Sequence, residues 1–379
     1  MAREVCRVHA VGGTETGQAA VHAREQEGRD SMTIKDVAKY CGVSVSTVSR
    51  VMNGHPDVSV SVRAKVLAAV SELHYVPNRS AQDLVRVRSD SIGVVVRGAS
   101  NPFYSPIVRS IERVCEDKGY TMIVHHMGER GDEVKRGAEL VNSRRLKGLI
   151  LLGGRFDYGE RERASVMVPF VCCAFSSQFG RLDGATYSSV SIDDVKEARR
   201  ATRLLTDEGH RKIAILVDFV NDQSISELRY RGYRQALEEV GITLDEGLVL
   251  EAGGFSMAHA YSAVTRLLMA RSDVTAIFSA SDAMAMAAMK AVYDAGRRIP
   301  EDCSVVAIDG IEASRYAIPT LTTLEQPTEV MGRRAATTLI DQIEGRAGMR
   351  HVTLDAKIRC GGTLGPVPRT KEIPHHRDA

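Results

Sequence analysis

Between Thr33 and Leu73 the apolar residues recur at helical intervals. Ile34, Val37 and Ala38 form one stripe, Val48, Val51 and Met52 a second, and Val62, Val66, Ala69, Val70 and Leu73 a third. Each spacing gathers its residues on one helix face. The residues between supply the ends. Thr33 caps the first helix, with Asp36 in place of the usual Glu. Gly42 permits a left-handed exit. Ser44 caps the second helix, and Gly54-His55-Pro56 ends it, because proline cannot continue the hydrogen-bond ladder. Ser59 caps the third, which supplies a floor that two helices this short cannot make alone. The outer face of the second helix carries Val45, Ser46, Thr47, Ser49, Arg50 and Asn53. These short side chains around one arginine let a base edge or phosphate approach closely. Two capped helices across a short glycine turn make a helix-turn-helix. A plain three-helix bundle is the bland alternative, and the polar outer face weighs against it.

From Ser91 the pattern changes. Apolar, β-branched runs occupy Ile92–Val96, Met122–Val124, Leu149–Leu152, Phe170–Ala174, Ile213–Val217, Ala276–Phe278 and Val305–Ile308. Helical stretches such as Ile107–Lys118 and Ala198–Glu208 separate most of them. Continuous apolar strands alternating with helices predict parallel sheets covered on both faces. Two such sheets, one before about residue 193 and one after, predict two doubly wound lobes. The fold class is α/β, an all-α helix-turn-helix followed by a two-lobed core. Ligands in such folds bind outside the carboxyl ends of the strands, here the cleft between lobes. Met284, Met286 and Met289 read as core packing of a helix after Asp282. Between the two parts, Pro77-Asn78 breaks the third helix, and Arg79–Val87 allows about two helical turns. Such a piece is too short to be stable alone. It reads either as a flexible basic linker or as a segment that folds when packed.

Composition narrows the function. The chain has 379 residues and a formal charge of only +2, so it is no general polyanion binder. Residues 31–90 hold eight basic against five acidic side chains, a modest basic footprint. The seven cysteines lack metal or redox spacing, and without a signal peptide their thiols are expected reduced, in the cytoplasm. His125-His126 and His375-His376 are not spaced for zinc, and the chain has no G-x-S-x-G, P-loop or dinucleotide fingerprint. No enzyme activity, cofactor or membrane span is expected. Residues 1–31 read as a disordered extension, with Met32 as an alternative start. Residues 366–379 read as a disordered tail without a leucine heptad.

The residues Asp36-Val37-Ala38, Gly42-Val43-Ser44, Thr47-Val48-Ser49-Arg50-Val51, Asn53, Val58-Ser59, Arg63, Tyr75, Pro77-Asn78 and Leu84 closely resemble the lactose/galactose repressor family of bacterial transcription regulators. The resemblance continues through Asn101-Pro102-Phe103-Tyr104, Gly209-His210, Arg229 before Gly232-Tyr233, Ser281-Asp282, Asp309, Pro319–Thr323 and Gln326-Pro327, to about Gly365. It implies a periplasmic-binding-protein-like core. It implies a helix-turn-helix domain over 32–77, a hinge over 78–90 and a core over 91–365. The first lobe is then about 91–193 with a return near 320–335. The second is about 194–318 with 336–365.

The resemblance also assigns roles. Val45, Ser46 and Arg50 read bases, while Thr33, Thr47, Ser49 and Asn53 hold phosphates. Asn78, Ala81 and Leu84 belong to a hinge that folds on DNA when two copies pair, with Leu84 as a minor-groove wedge. Phe103, Tyr104, Gln223, Ile225, Arg229, Phe255, Ser281, Asp282 and Asp309 form an effector pocket. Taken singly, Arg229 also reads as a surface ion-pair partner, Phe103 and Phe255 as core, and Asp309 as a helix cap. The expected partners are double-stranded operator DNA, a small effector (a mono- or oligosaccharide) and a second copy of the chain. The reading is a dimeric, cytoplasmic, nucleoid-associated repressor of carbohydrate-utilisation genes. The alternatives are a purine corepressor protein, a global carbon-control regulator with a protein co-effector, and a sugar-binding protein or enzyme.

Overall fold

The computed structural model describes residues 33–52, 54–73, 75, 90–98, 101–128, 131–155, 158–175, 183–220 and 224–368. They fall into two compact units, one ending at Val87 and one beginning at Arg88. Asn53, Asn78, Ala81, Leu84 and Gln223 lie outside the described residues, as do the extension 1–31 and most of the hinge.

The first unit is three helices, α1 (Ile34–Cys41), α2 (Val45–Met52) and α3 (Val60–Glu72). Asp36 Oδ2 accepts from the Thr33 amide at 2.8 Å and from its hydroxyl at 2.6 Å, closing the start of α1. Gly42 has φ 61° and makes the left-handed exit. Ser44 Oγ accepts from the Thr47 amide at 3.1 Å, capping α2. Ser59 departs from expectation: it occupies the cap position of α3, but its hydroxyl turns to Ser61, 3.3 Å away, and accepts no helix amide. Val37, Ala38, Cys41, Val48, Val51, Val66 and Ala69 are buried together, so the three stripes share one core. Cys41 joins it as a small apolar side chain.

The second unit holds two six-stranded sheets. The first contains β1 (Ser91–Arg97), β2 (Thr121–Met127), β3 (Gly148–Leu152), β4 (Phe170–Cys173), β5 (Ser188–Ile192) and β11 (His351–Leu354). The second contains β6 (Ile213–Val217), β7 (Val249–Glu251), β8 (Ala276–Ser279), β9 (Ser304–Asp309), β10 (Thr322–Glu325) and β12 (Lys357–Arg359). Their orders are β11-β5-β4-β3-β1-β2 and β12-β10-β9-β8-β6-β7. Every pairing is parallel except β10 with β12. Parallel pairing requires helical crossovers. The crossovers important to the cleft are α4 (Tyr104–Asp117), α5 (Glu133–Arg144), α6 (Asp194–Asp207), α7 (Ile225–Glu239), α8 (Met257–Ala270) and α9 (Asp282–Asp294).

All seven apolar runs fall on strands, the fourth strand ending at Cys173, one residue before the run does. Of the strands that escaped notice, β5, β10 and β12 are mostly polar, β11 is half polar and β7 is only three residues long. β5 reads SSVSI yet is wholly buried, because its hydroxyls have partners. Ser188 Oγ accepts from the Arg350 amide at 2.9 Å, and Ser189 Oγ meets His351 Nδ1 at 2.8 Å.

The lobe boundaries differ from those implied by resemblance. The chain passes to the second sheet after β5, and β10 stays there, pairing with β9. The return follows Gln326-Pro327, with α10 (Thr328–Ile343) packed on α4, β3, β4 and β5. β11 belongs to the first sheet, and β12 goes back to the second. The returning segment is therefore 328–354, and 336–354 is not part of the second lobe. Residue 367, expected in a disordered tail, is held on the second lobe, where the Val367 amide donates to Glu208 O at 2.9 Å, and 369–379 lie outside the described residues.

Candidate functional site

In the first unit the outer face of α2 forms as its sequence requires. Val48 and Val51 point into the core, which turns Val45, Ser46 and Arg50 outward and leaves Thr47 and Ser49 half-buried. Thr33 is exposed at the start of α1. Ser44 Oγ lies 2.7 Å from Ser46 Oγ and 2.8 Å from Thr47 Oγ1, giving a row of hydroxyls at the helix start. Arg50 Nη1 donates to Asp57 Oδ2 at 3.1 Å, and both groups remain well exposed. Asp57 thus aims Arg50 without burying it, a role the sequence reading missed.

In the second unit the strands of both sheets end at one cleft. The backbone turns away through left-handed residues: Gly98 (φ 70°) after β1, Gly153 (φ 73°) after β3, Ala174 (φ 56°) after β4 and Gly310 (φ 78°) after β9. Asp309 itself has φ 147°. Ala174 and Asp309 carry side chains where glycine is preferred, which costs about 1–3 kcal/mol each and is characteristic of ligand sites. Gly153 is required for a second reason: a Cβ there would fall 2.5 Å from the Tyr104 hydroxyl.

The cleft has two adjoining compartments. The inner one is lined by Phe103, Asp194, Arg229, Asp309 and Gln326, the outer one by Arg97, Gly98, Gly153, Asp218 and Ser224. Asn101, Tyr104, Ala174, Ile225 and Phe255 line both. Phe103 also packs into the core and meets the Tyr104 ring edge-on, centroids 5.4 Å apart.

Arg229 organises the inner compartment. It is 2% exposed, so it is an internal cation and not a surface partner. Its Nε donates to Asp194 Oδ1 at 2.9 Å, its Nη1 stands 3.5 Å from Asp309 Oδ1, and Nη1 also donates to the Ala280 carbonyl. Gln326 Nε2 donates to Asp309 Oδ1 at 3.0 Å. Burial pushes the Asp309 carboxyl up to about 8; Arg229 opposes this and nearby Asp282 adds to it. Burial also raises Asp194, against the pull of Arg229. Burial disfavours the Arg229 cation, yet the two carboxylates outweigh that and hold it charged. Tyr104 is pushed up by burial and then by Asp309, so its phenol stays protonated.

Two expected pocket residues do not line the cleft. Ser281 caps α9, accepting from the Met284 amide at 3.2 Å. Asp282 is fully buried behind it. Its Oδ2 accepts from the amides of Gly310 (3.1 Å) and Ile311 (3.0 Å) and from Ser314 Oγ (2.6 Å). Its Oδ1 accepts from Thr323 Oγ1 at 2.5 Å, and Arg359 Nη2 stands 3.6 Å from Oδ2. A carboxylate with this many donors has no capacity left for a ligand. It fixes the turn that follows Asp309.

The polar pocket residues missed from sequence are Arg97, Asn101, Asp194, Asp218, Ser224 and Gln326. A signal existed for two: Arg97 and Asp218 are the first polar residues after the runs Ile92–Val96 and Ile213–Val217. His210, by contrast, is structural, bonded to Thr275 Oγ1, Ser304 Oγ and the Gly365 carbonyl at 3.0–3.1 Å.

Residues 33–78 match the profile of bacterial regulatory proteins of the lacI family, and residues 202–363 that of a periplasmic binding protein-like domain. The chain is 38% identical over 329 residues to the HTH-type transcriptional regulator MalR of Clostridium butyricum, covering 86% of this chain and 97% of that protein. Its fold is similar to that of the transcriptional regulator CelR in a cellobiose complex, with TM-score 0.66, 32% identity and coverage of 88% and 99%. It is similar also to the Lac repressor dimer bound to operator and the anti-inducer ONPF, with TM-score 0.71, 28% identity and coverage of 89% and 100%. With identity of this order running through both units, the chain belongs to the lacI family of bacterial regulatory proteins.

Proposed function

We propose that this protein is a repressor of carbohydrate-utilisation genes that binds operator DNA through α2 and is controlled by a sugar in the cleft. The observation that carries the reading is the meeting of Phe103 and Tyr104 from the first lobe with Ile225, Arg229, Phe255 and Asp309 from the second. A ligand there touches both lobes at once, so it favours whichever arrangement of the lobes it fits better. Aromatic faces for stacking beside an ordered set of donors and acceptors suit a sugar.

On DNA, Arg50 pairs with a guanine edge, Val45 and Ser46 meet neighbouring bases, and Thr33, Thr47, Ser49 and Asn53 hold phosphates. Asn78, Ala81 and Leu84 form the hinge contacts. Two copies act together, because one helix-turn-helix covers too little DNA for tight specific binding. Tyr293, Tyr316 and Ile318, between 75% and 96% exposed on the second lobe, offer an apolar face for the second copy. The protein acts in the cytoplasm, without catalysis, and among the described residues no helix is long and apolar enough to cross a membrane.

The test is operator binding by the purified chain while sugars and purines are titrated. Release of DNA by one sugar supports an inducible repressor, and tightening by a purine converts it to a corepressor protein. Specific binding indifferent to every small molecule points to a protein effector. Absence of any specific DNA binding overturns the assignment.

A further inference from the structure

Resting on the reading of the cleft as the effector site, we infer that Glu133 is a positioning residue of that site. It is a buried carboxylate behind the outer compartment that ties the ends of β1 and β3 together and holds Arg97 in place for the ligand.

Glu133 is the first residue of α5 and is 0% exposed. A helix start favours negative charge, but that needs no burial. Nor is Glu133 the cap, since Asp132 Oδ1 accepts from the Lys135 amide at 2.8 Å. Glu133 turns inward instead. Its Oε1 accepts from the Arg155 amide at 2.8 Å. Arg155 directly follows Gly153-Gly154, which line the outer compartment from the end of β3. Its Oε2 has no hydrogen-bond partner among the described residues. Burying a carboxylate on those terms is costly. Burial accordingly pushes its carboxyl up, and the Arg97 guanidinium is the foremost influence drawing it back down. Arg97 ends β1 and lines the same compartment. One side chain outside the cleft therefore reaches two of its walls, β1 through charge and β3 through a backbone bond.

The neighbours sharpen the point. Tyr158 and the Cys172 thiol of β4 also feel the carboxylate, and burial, then Glu133, keeps both protonated. Neither needs a charge beside it. The tie to Arg155 does not need one either, because the oxygen of a glutamine would accept the same amide. What a buried charge adds is a fixed place for an opposite charge. Arginine is a long side chain with many rotamers, and one held beforehand leaves less ordering for the ligand to bring about.

The experiment uses the full-length chain with Glu133→Gln, which keeps an acceptor for Arg155 and removes the charge. The first measurement needs no ligand. The chain is modified by phenylglyoxal, and the rate at each arginine is read by mass spectrometry. Arg97 should react faster in Glu133→Gln than in the wild type, with the exposed Arg109 of α4 unchanged as the control. The second is calorimetric titration with cellobiose, maltose, ribose and guanine, with urea unfolding measured beside it. For the compound that binds, Glu133→Gln should weaken affinity about tenfold, a coupling of the size found within one buried network. In an Arg97→Gln background the same change should do nothing further. Glu133→Asp draws the charge back by one methylene, should act in the same direction more weakly, and serves if Glu133→Gln does not fold. Lost stability with unchanged affinity makes Glu133 a structural residue and overturns the inference. So does an equal loss of affinity in the Arg97→Gln background, or an Arg97 rate indifferent to Glu133. Binding by none of the four compounds counts against the effector reading of the cleft, and the modification rates then decide by themselves whether Glu133 holds Arg97.

Discussion

Asp194, on the first turn after the chain enters the second lobe, accepts from Arg229 Nε at 2.9 Å while both side chains are almost wholly withdrawn from water. Asp309 shares the same guanidinium from the other side at 3.5 Å. Breaking a buried pair by removing one member leaves an uncompensated charge, which costs about 3–5 kcal/mol. Arg229→Leu should therefore destabilise the core by about that amount in urea unfolding, and adding Asp194→Leu should recover part of it. A single variant as stable as the wild type would show that the carboxylates do not depend on the cation.

Asp309 sets a pH dependence. Its folded-state value of about 8 lies above the ordinary carboxyl value, so the native chain holds a proton that the unfolded chain releases. Stability from this group is fully present in acid, falls as pH rises toward about 8, and is level beyond. Asp309→Asn should remove that slope from the melting curves. Sugar hydroxyls favour the ionised carboxyl as acceptor, so ligand affinity should climb toward pH 8 and then flatten. In the Asn variant it should not vary over that range, as calorimetry at several pH values would show.

Gly310 cannot be replaced. Its φ is 78°, and a Cβ would fall 2.4 Å from Glu325 Cγ and 2.6 Å from Glu325 Cα. Gly310→Ala should cost about 2 kcal/mol or more, since the backbone of β10 has no room to yield. Effector affinity should fall with it, because the same turn places Asp309. DNA binding in the absence of ligand provides the control for the first unit.

Arg50 should separate stability from recognition. Its ion pair with Asp57 is exposed and contributes little to folding. Arg50→Ala should leave the melting temperature of the first unit nearly unchanged. It should weaken specific binding by about 1–3 kcal/mol and relax the preference at one base pair. An unaltered operator preference would remove Arg50 from base readout.

The sequence disclosed whatever rests on periodicity or local geometry. Helix stripes, apolar strands and the glycine exit at Gly42 need only near neighbours. The strands it concealed, such as the serine-rich β5 and the two short final strands, are polar and stable only because distant residues satisfy them. Ser188 with Arg350 is one case. The cleft shows the same division. The resemblance named Arg229 and Asp309, but not that Gln326 joins them, because that bond links the ends of β9 and β10, which only the sheet brings side by side. Asp282 was placed in the pocket by the resemblance, at a strand end. Its orientation depends on Ser314, Thr323 and Arg359, which no local pattern brings near it.

The route of the chain between the sheets also bears on how such a gene is assembled. Each sheet draws on separated stretches of sequence, with passages after β5, after β10 and between β11 and β12. No single recombination point can exchange one lobe for another without splitting a sheet. The three helices of the first unit form one continuous stretch, from Ile34 to Glu72. One junction, between the codons for Tyr75 and Asp90, exchanges the helix-turn-helix whole. DNA specificity is thus free to be shuffled among relatives as a block, whereas ligand specificity has to change one side chain at a time.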